Sequence, residues 1–165
     1  MRIVFKITKR QLDDVKTQLE CQHPFAFERV GFLMCRAGLF EEGGIVVLAH
    51  SLHKVADDDY LDDPRAGATM GPHAIRKALQ AAYNQQASMF HIHLHAHCGK
   101  PHFSRIDSEE TARFVPDFWN VQPDLPHGAI VFSEDSAYGR CWIPSHKAPV
   151  AISQFDVVGL PTRRL

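Results

Sequence analysis

Four histidines, His91, His93, His95 and His97, take alternate positions in the run FHIHLHAHCGKPHFSRID, which closes with Ser104-x-x-Asp107. A strand points successive side chains to opposite faces, so the four imidazoles share one face and Ile92, Leu94 and Ala96 the other. One strand histidine alone is more simply structural; four in alternation ahead of Ser-x-x-Asp are not explained by packing. Catalytic zinc takes three protein ligands from His and Asp/Glu and leaves a position for water. A His-x-His pair supplies two of them, its side chains standing ~6.6 Å apart along the strand, and an aspartate on a returning segment can supply the third. A metal lowers the pKa of a water it holds to roughly 7, and a nearby carboxylate can then take the proton. Glu28, the one acidic residue within the largely apolar stretch Phe25–Leu39, is the candidate for that role. A serine beside the metal can hydrogen-bond the oxyanion formed on a substrate carbonyl.

The surrounding pattern must place these groups. Arg2–Thr8 alternates as a strand, and Thr8-x-x-Gln11 is a capping box opening a helix with Leu12, Val15 and Leu19 on one stripe. Phe25–Leu39 reads as a buried strand or strand pair that carries Glu28, Glu41–Gly44 as a turn, and Ile45–His50 as another strand. Aspartates 57, 58, 59, 62 and 63 mark an exposed loop ending at Pro64. Pro72 suits the first turn of a helix whose buried face is Ile75, Leu79, Ala82 and Tyr83. The histidine strand is expected over about 87–97, and a short helix over Glu109–Arg113 ends at Pro116. A loop anchored by Phe118 and Trp119 precedes three strands, His127–Ser133, Tyr138–Ile143 and Val150–Val158. The sum is one domain over residues 1–165, a mixed α/β (α+β) sheet flanked by helices. His73, His102 and His127 lack the context of the strand histidines and read as surface residues.

Composition narrows the partners. Lys plus Arg, 18, nearly balances Asp plus Glu, 19, which makes no electrostatic case for nucleic acid or an anionic membrane. Four cysteines without a CxxC pair fit a reducing compartment better than a zinc ribbon or a disulfide scaffold. No secretory signal or membrane span is evident, so a cytoplasmic location is expected.

Glu28-Arg-Val-Gly31-Phe-Leu, then His95-Ala-His97, then Ser104-Arg-Ile-Asp107 resembles the JAMM motif of the JAB/MPN metalloproteases, and the order of elements is similar along nearly the whole chain. The resemblance implies an MPN-like fold and a zinc-dependent peptidase or isopeptidase of the compact prokaryotic type. It implies Zn2+ held by His95, His97 and Asp107, Glu28 as general base, and Ser104 as oxyanion donor. Its implied substrate is a ubiquitin-like or sulfur-carrier protein, cut after the C-terminal glycine. The family has seven residues between its second histidine and the serine; His95/His97 leaves six here, and His93/His95 leaves eight. His97-Cys98-Gly99 resembles the family's His-Pro-Gly turn, with Cys98 in the place of proline, and favours the first register. His91-Ile-His93-Leu-His95-Ala-His97 also resembles the histidine-triad signature of nucleotide hydrolases and transferases, where a histidine attacks phosphorus without a metal. That alternative leaves Glu28, Ser104 and Asp107 without roles. A non-catalytic MPN scaffold is the third reading, disfavoured because every motif residue is present.

Overall fold

The computed structural model describes residues 1–40, 43–63 and 66–165; Glu41 and Glu42 of the expected turn, and Pro64 at the end of the expected acidic loop, lie outside them. Strands β1 (Ile3–Thr8), β2 (Val30–Phe40), β3 (Gly44–Lys54), β6 (Ser88–Leu94), β7 (His127–Phe132), β8 (Ala137–Trp142), β9 (Val150–Ala151), β10 (Gln154–Val158) and β11 (Arg163–Arg164) form one mixed sheet. Its order is β11-β10-β1-β3-β2-β6-β7-β8-β9, which puts β6 in the interior. Strands β4 (Tyr60–Leu61) and β5 (Thr69–Met70) pair separately. The architecture is mixed α/β, as the pattern of apolar residues predicts.

Local chemistry accounts for the three α-helices among the described residues. α1 (Lys9–Leu19) starts at the Thr8–Gln11 capping box and buries Leu12, Val15 and Leu19. α2 (Pro72–Gln85) has proline in its first turn, where a missing N–H costs nothing. Its buried face is narrower than expected: Ala74, Ala78 and Ala82 recur every four residues and meet the sheet, while Tyr83 is 62% exposed. α3 (Arg105–Phe114) starts at Ser104, and the segment after it, expected as a loop, is a 3-10 helix, Val115–Asn120, with Phe118 fully buried.

The sheet has a core on each face. Phe90 and Ile92 of β6 join the side chains of α1 in one core; Met89 joins Phe32, Phe118 and the alanines of α2 in the other. By alternation His91 and His93 belong to the face of Met89, beneath α2 and α3. The expected strand Val150–Val158 divides in two, because Ile152 N–H bonds to Gly139 O in β8 and Ser153 N–H to Ile3 O in β1. That crossing brings the two ends of the sheet together around the first core.

The acidic loop is tighter than its composition suggests. Asp57–Asp59 is a 3-10 turn; Asp59 is buried against Lys77 at 2.6 Å, and Asp57 pairs with Arg29 at 2.6 Å. No helix among the described residues is long and apolar enough to cross a membrane.

Candidate metal centre

The histidine strand ends sooner than its alternation implies. β2 joins β6 at Val30 opposite His93, and β7 leaves it at Phe132 opposite Leu94. His95 N–H makes a last bond to Phe132 O at 2.9 Å, after which the chain turns and His97 O accepts from Glu134 N–H. Consequently the four histidines are unequal. His91 and His93 are buried, 6% and 1% exposed, His95 is half-buried at the strand's end, and His97 is exposed beyond it. The His97 Nδ1–H points back to Cys98 O at 2.9 Å.

Asp107 arrives on the first turn of α3. Its N–H donates to Ser104 Oγ at 3.1 Å, and Ser104 N–H donates to Asp107 Oδ2 at 2.8 Å, a reciprocal cap. The Ser-x-x-Asp pattern is therefore a helix start as well as a site feature. Capping aims the carboxylate at β6, where Oδ2 stands 3.7 Å from His93 Nε2. One ligand atom from each of His93, His95 and Asp107 lies within 4.8 Å of the other two. Of the three expected ligands, His95 and Asp107 fall in this group; its third member is His93, and His97 lies outside it. The difference from the spacing in the sequence follows from strand length, since His97 sits past the last ladder bond.

A metal ion fits what these residues lack. Both ring nitrogens of His93 are buried and have no hydrogen-bond partner among the described residues. An unpaired buried polar atom costs about 1–3 kcal/mol, which coordination would relieve at one nitrogen. Two imidazoles and a carboxylate are a donor set used for catalytic zinc, and one that other divalent first-row ions also accept. Burial pushes the His93 imidazole down to about 4 against the pull of the Asp107 carboxylate, and pushes His91 down to about 3. Near neutral pH His93 is thus in its ligating, uncharged form.

Glu28 is not on a strand. It belongs to the loop just before β2, and its neighbours Phe25 and Phe27 are 41% and 81% exposed. Backbone bonds pin the loop: Phe27 and Glu28 N–H both donate to Gly67 O, at 2.9 and 3.0 Å. Arg29 donates to Cys21 O and Gln22 O, and Tyr60 Oη exchanges hydrogen bonds with Val30 N–H and O. These contacts set the Glu28 carboxyl in a cleft of about 1030 Å³ whose lining includes His91, His93, His95, Ser104 and Asp107.

The two carboxyl groups differ in acidity. Burial raises Glu28, with His95 opposing and Asp107 adding to the rise. Burial also works against the Asp107 carboxylate, but the hydrogen bonds from Ser104 and the nearby His93 outweigh it and hold Asp107 below its ordinary value. Environments that push paired carboxyls apart suit one to exchange protons and the other to stay ionised.

The remaining candidates settle into other places. His127 is fully buried rather than on the surface. Met89 N–H donates to its Nδ1 at 3.0 Å and its Nε2–H to Gln122 O at 3.1 Å, so it ties β6 and β7 to the 3-10 helix region. His102 is exposed and packs on Tyr138, and His73 is exposed. Cys98 is exposed and donates to Glu134 at 3.0 Å. Sequence reasoning missed Gly67 and Tyr60, which hold the Glu28 loop from thirty or more residues away; no local signal marks either. No family model matches the chain, and no curated protein matches it.

Proposed function

We propose that this chain is a zinc-dependent peptidase or isopeptidase of the JAMM type, with His93, His95 and Asp107 as the ligands. The observation that carries the reading is the convergence of those three side chains in a cleft that also presents Glu28 and Ser104. When bound, zinc supplies a Lewis acid and a water made acidic enough to react near neutral pH. Glu28, its carboxyl already made a better base by burial, takes the proton from the attacking water and passes it to the leaving amine. Ser104 Oγ accepts from Asp107 N–H and so keeps its own proton to donate to the carbonyl oxygen as charge develops there. Asp107, held ionised by its cap, offsets the positive charge of the ion.

The substrate class comes from the JAMM resemblance: a peptide or isopeptide bond after the C-terminal glycine of a ubiquitin-like or sulfur-carrier protein. The cytoplasm is the proposed location, and the four free cysteines suit it. The test is hydrolysis of a carrier protein extended beyond its terminal glycine by a reporter peptide. The zinc-loaded protein cuts it, chelation stops the reaction, and Glu28→Ala slows it by roughly 10²-fold or more with zinc retained. Full activity in Glu28→Ala, or cleavage that survives metal removal, would sink the proposal. Nucleotide hydrolysis by metal-free protein would favour the histidine-triad alternative instead.

A further inference from the structure

His91 is buried on β6 two residues before His93 and is not one of the three clustered side chains. Its ring sits among apolar neighbours, edge-on to Phe32 at 5.5 Å and to Phe114 at 5.2 Å between centroids. Neither of its ring nitrogens has a hydrogen-bond partner among the described residues. A neutral imidazole carries one donor and one acceptor, and leaving them unpaired costs about 1–3 kcal/mol each. A phenyl or isobutyl group would fill the same space without that cost, so packing does not account for a histidine here.

The need for a partner lies next to it. His93 Nε2 faces Asp107 Oδ2 across 3.7 Å, which makes Nε2 the ligand atom and leaves Nδ1 to carry the proton. In metal sites that second N–H is nearly always held by a carboxylate, a carbonyl or a water. No described residue holds His93 Nδ1. The His91 ring stands 5.9 Å away between centroids, on the same face of β6. One water with hydrogen bonds of ~2.8–3.0 Å on each side spans such a gap, and His91 lines the cleft from which solvent enters.

We propose that His91 is a positioning residue that holds His93 Nδ1–H through a shared buried water, fixing the tautomer and aim of the ligand ring. The water accepts from His93 Nδ1–H and donates to the unprotonated nitrogen of His91. The inference rests on His93 being a metal ligand. It also gives the first histidine of the run a role that neither packing nor coordination supplies.

The experiment measures zinc affinity by competition with a chromophoric chelator, and the visible absorption of the cobalt-loaded protein, for wild type, His91→Phe and His91→Gln. His91→Phe suits the surroundings of Phe32 and Phe114 and melts no lower than wild type. It binds zinc about 10–100-fold more weakly and shifts the cobalt bands. His91→Gln, which keeps a donor and an acceptor, recovers most of the affinity. Wild-type affinity in His91→Phe, or equal weakening in both variants, overturns the inference while leaving the metal centre standing. Absence of zinc binding by the wild type overturns the metal centre and the inference together. A high-resolution structure of the wild type gives an independent check: ordered density between the two rings supports the proposal, and rings in direct apolar contact refute it.

Discussion

Gly67 presses against Glu28: a β-carbon at residue 67 would stand 2.8 Å from Glu28 Cδ and 2.9 Å from Oε2. The contact comes from the far end of a flexible side chain, so the fold can yield cheaply, but only by moving the carboxyl. Gly67→Ala is therefore expected to leave the melting temperature and zinc content close to wild type while lowering kcat by about 10-fold, in keeping with the cost of a misplaced catalytic group. Steady-state kinetics with metal analysis checks this, and an unaffected kcat would mean that Glu28 has no positional requirement.

The ligand register is decided by two substitutions. His93→Ala should abolish stoichiometric zinc binding, because it removes one of the three converging donors. His97→Ala should retain it, since His97 is exposed and lies beyond the cluster. The reverse result, zinc lost only on His97→Ala, would restore the register favoured by the spacing in the sequence.

Substitution separates the cap that Ser104 makes from the oxyanion role proposed for it. Ser104→Ala removes the α3 cap and is expected to cost about 1 kcal/mol of stability, together with a roughly 10²-fold loss in kcat if the hydroxyl serves the oxyanion. Ser104→Asp restores a side-chain acceptor for Asp107 N–H but offers no donor, so stability should return while activity stays low. Denaturant melts paired with kinetics distinguish the effects; full activity in Ser104→Ala would leave the serine with capping alone.

Acid should weaken the metal-free protein through its buried histidines. Burial pushes His127 down to about 4, with the Gln122 carbonyl pulling in the opposite direction. The folded pKa lies below the unfolded one, so the unfolded chain takes up the proton first as pH falls. Stability from this group is complete above about pH 6.5 and declines toward pH 4, by about 2–3 kcal/mol over the interval. His91 and His93 act in the same direction. Comparing the loss between pH 7.5 and 4.5 in wild type and His127→Gln isolates the His127 share. An identical loss in both would show that His127 does not titrate across unfolding.

Several features of this protein are written locally and are legible without a structure. The Thr8–Gln11 capping box is decided by atoms three residues apart, so the start of α1 follows from the sequence alone; the Ser104–Asp107 cap is equally local, yet it opens α3 at Arg105, four residues before the helix expected over Glu109–Arg113. The stripe of α1 and the alternation of β6 likewise follow from periods of 3.6 and 2. The period of 2 also places His91 and His93 on one face of β6, their rings 5.9 Å apart.

Where that face stops is not a local property. A strand continues only while neighbouring strands offer hydrogen bonds, and β6 loses β2 at Val30 and β7 at Phe132, positions set by distant segments of chain. That limit leaves His93 and His95 under Asp107 and puts His97 in solvent. Glu28 is a similar case: its loop is held by Gly67 and Tyr60, contacts at long sequence separation that no periodicity encodes. The sequence by itself determined which residues are able to do chemistry and which face they share. Tertiary structure alone decided which histidines meet Asp107, because strand pairing, not side-chain alternation, sets the end of the strand.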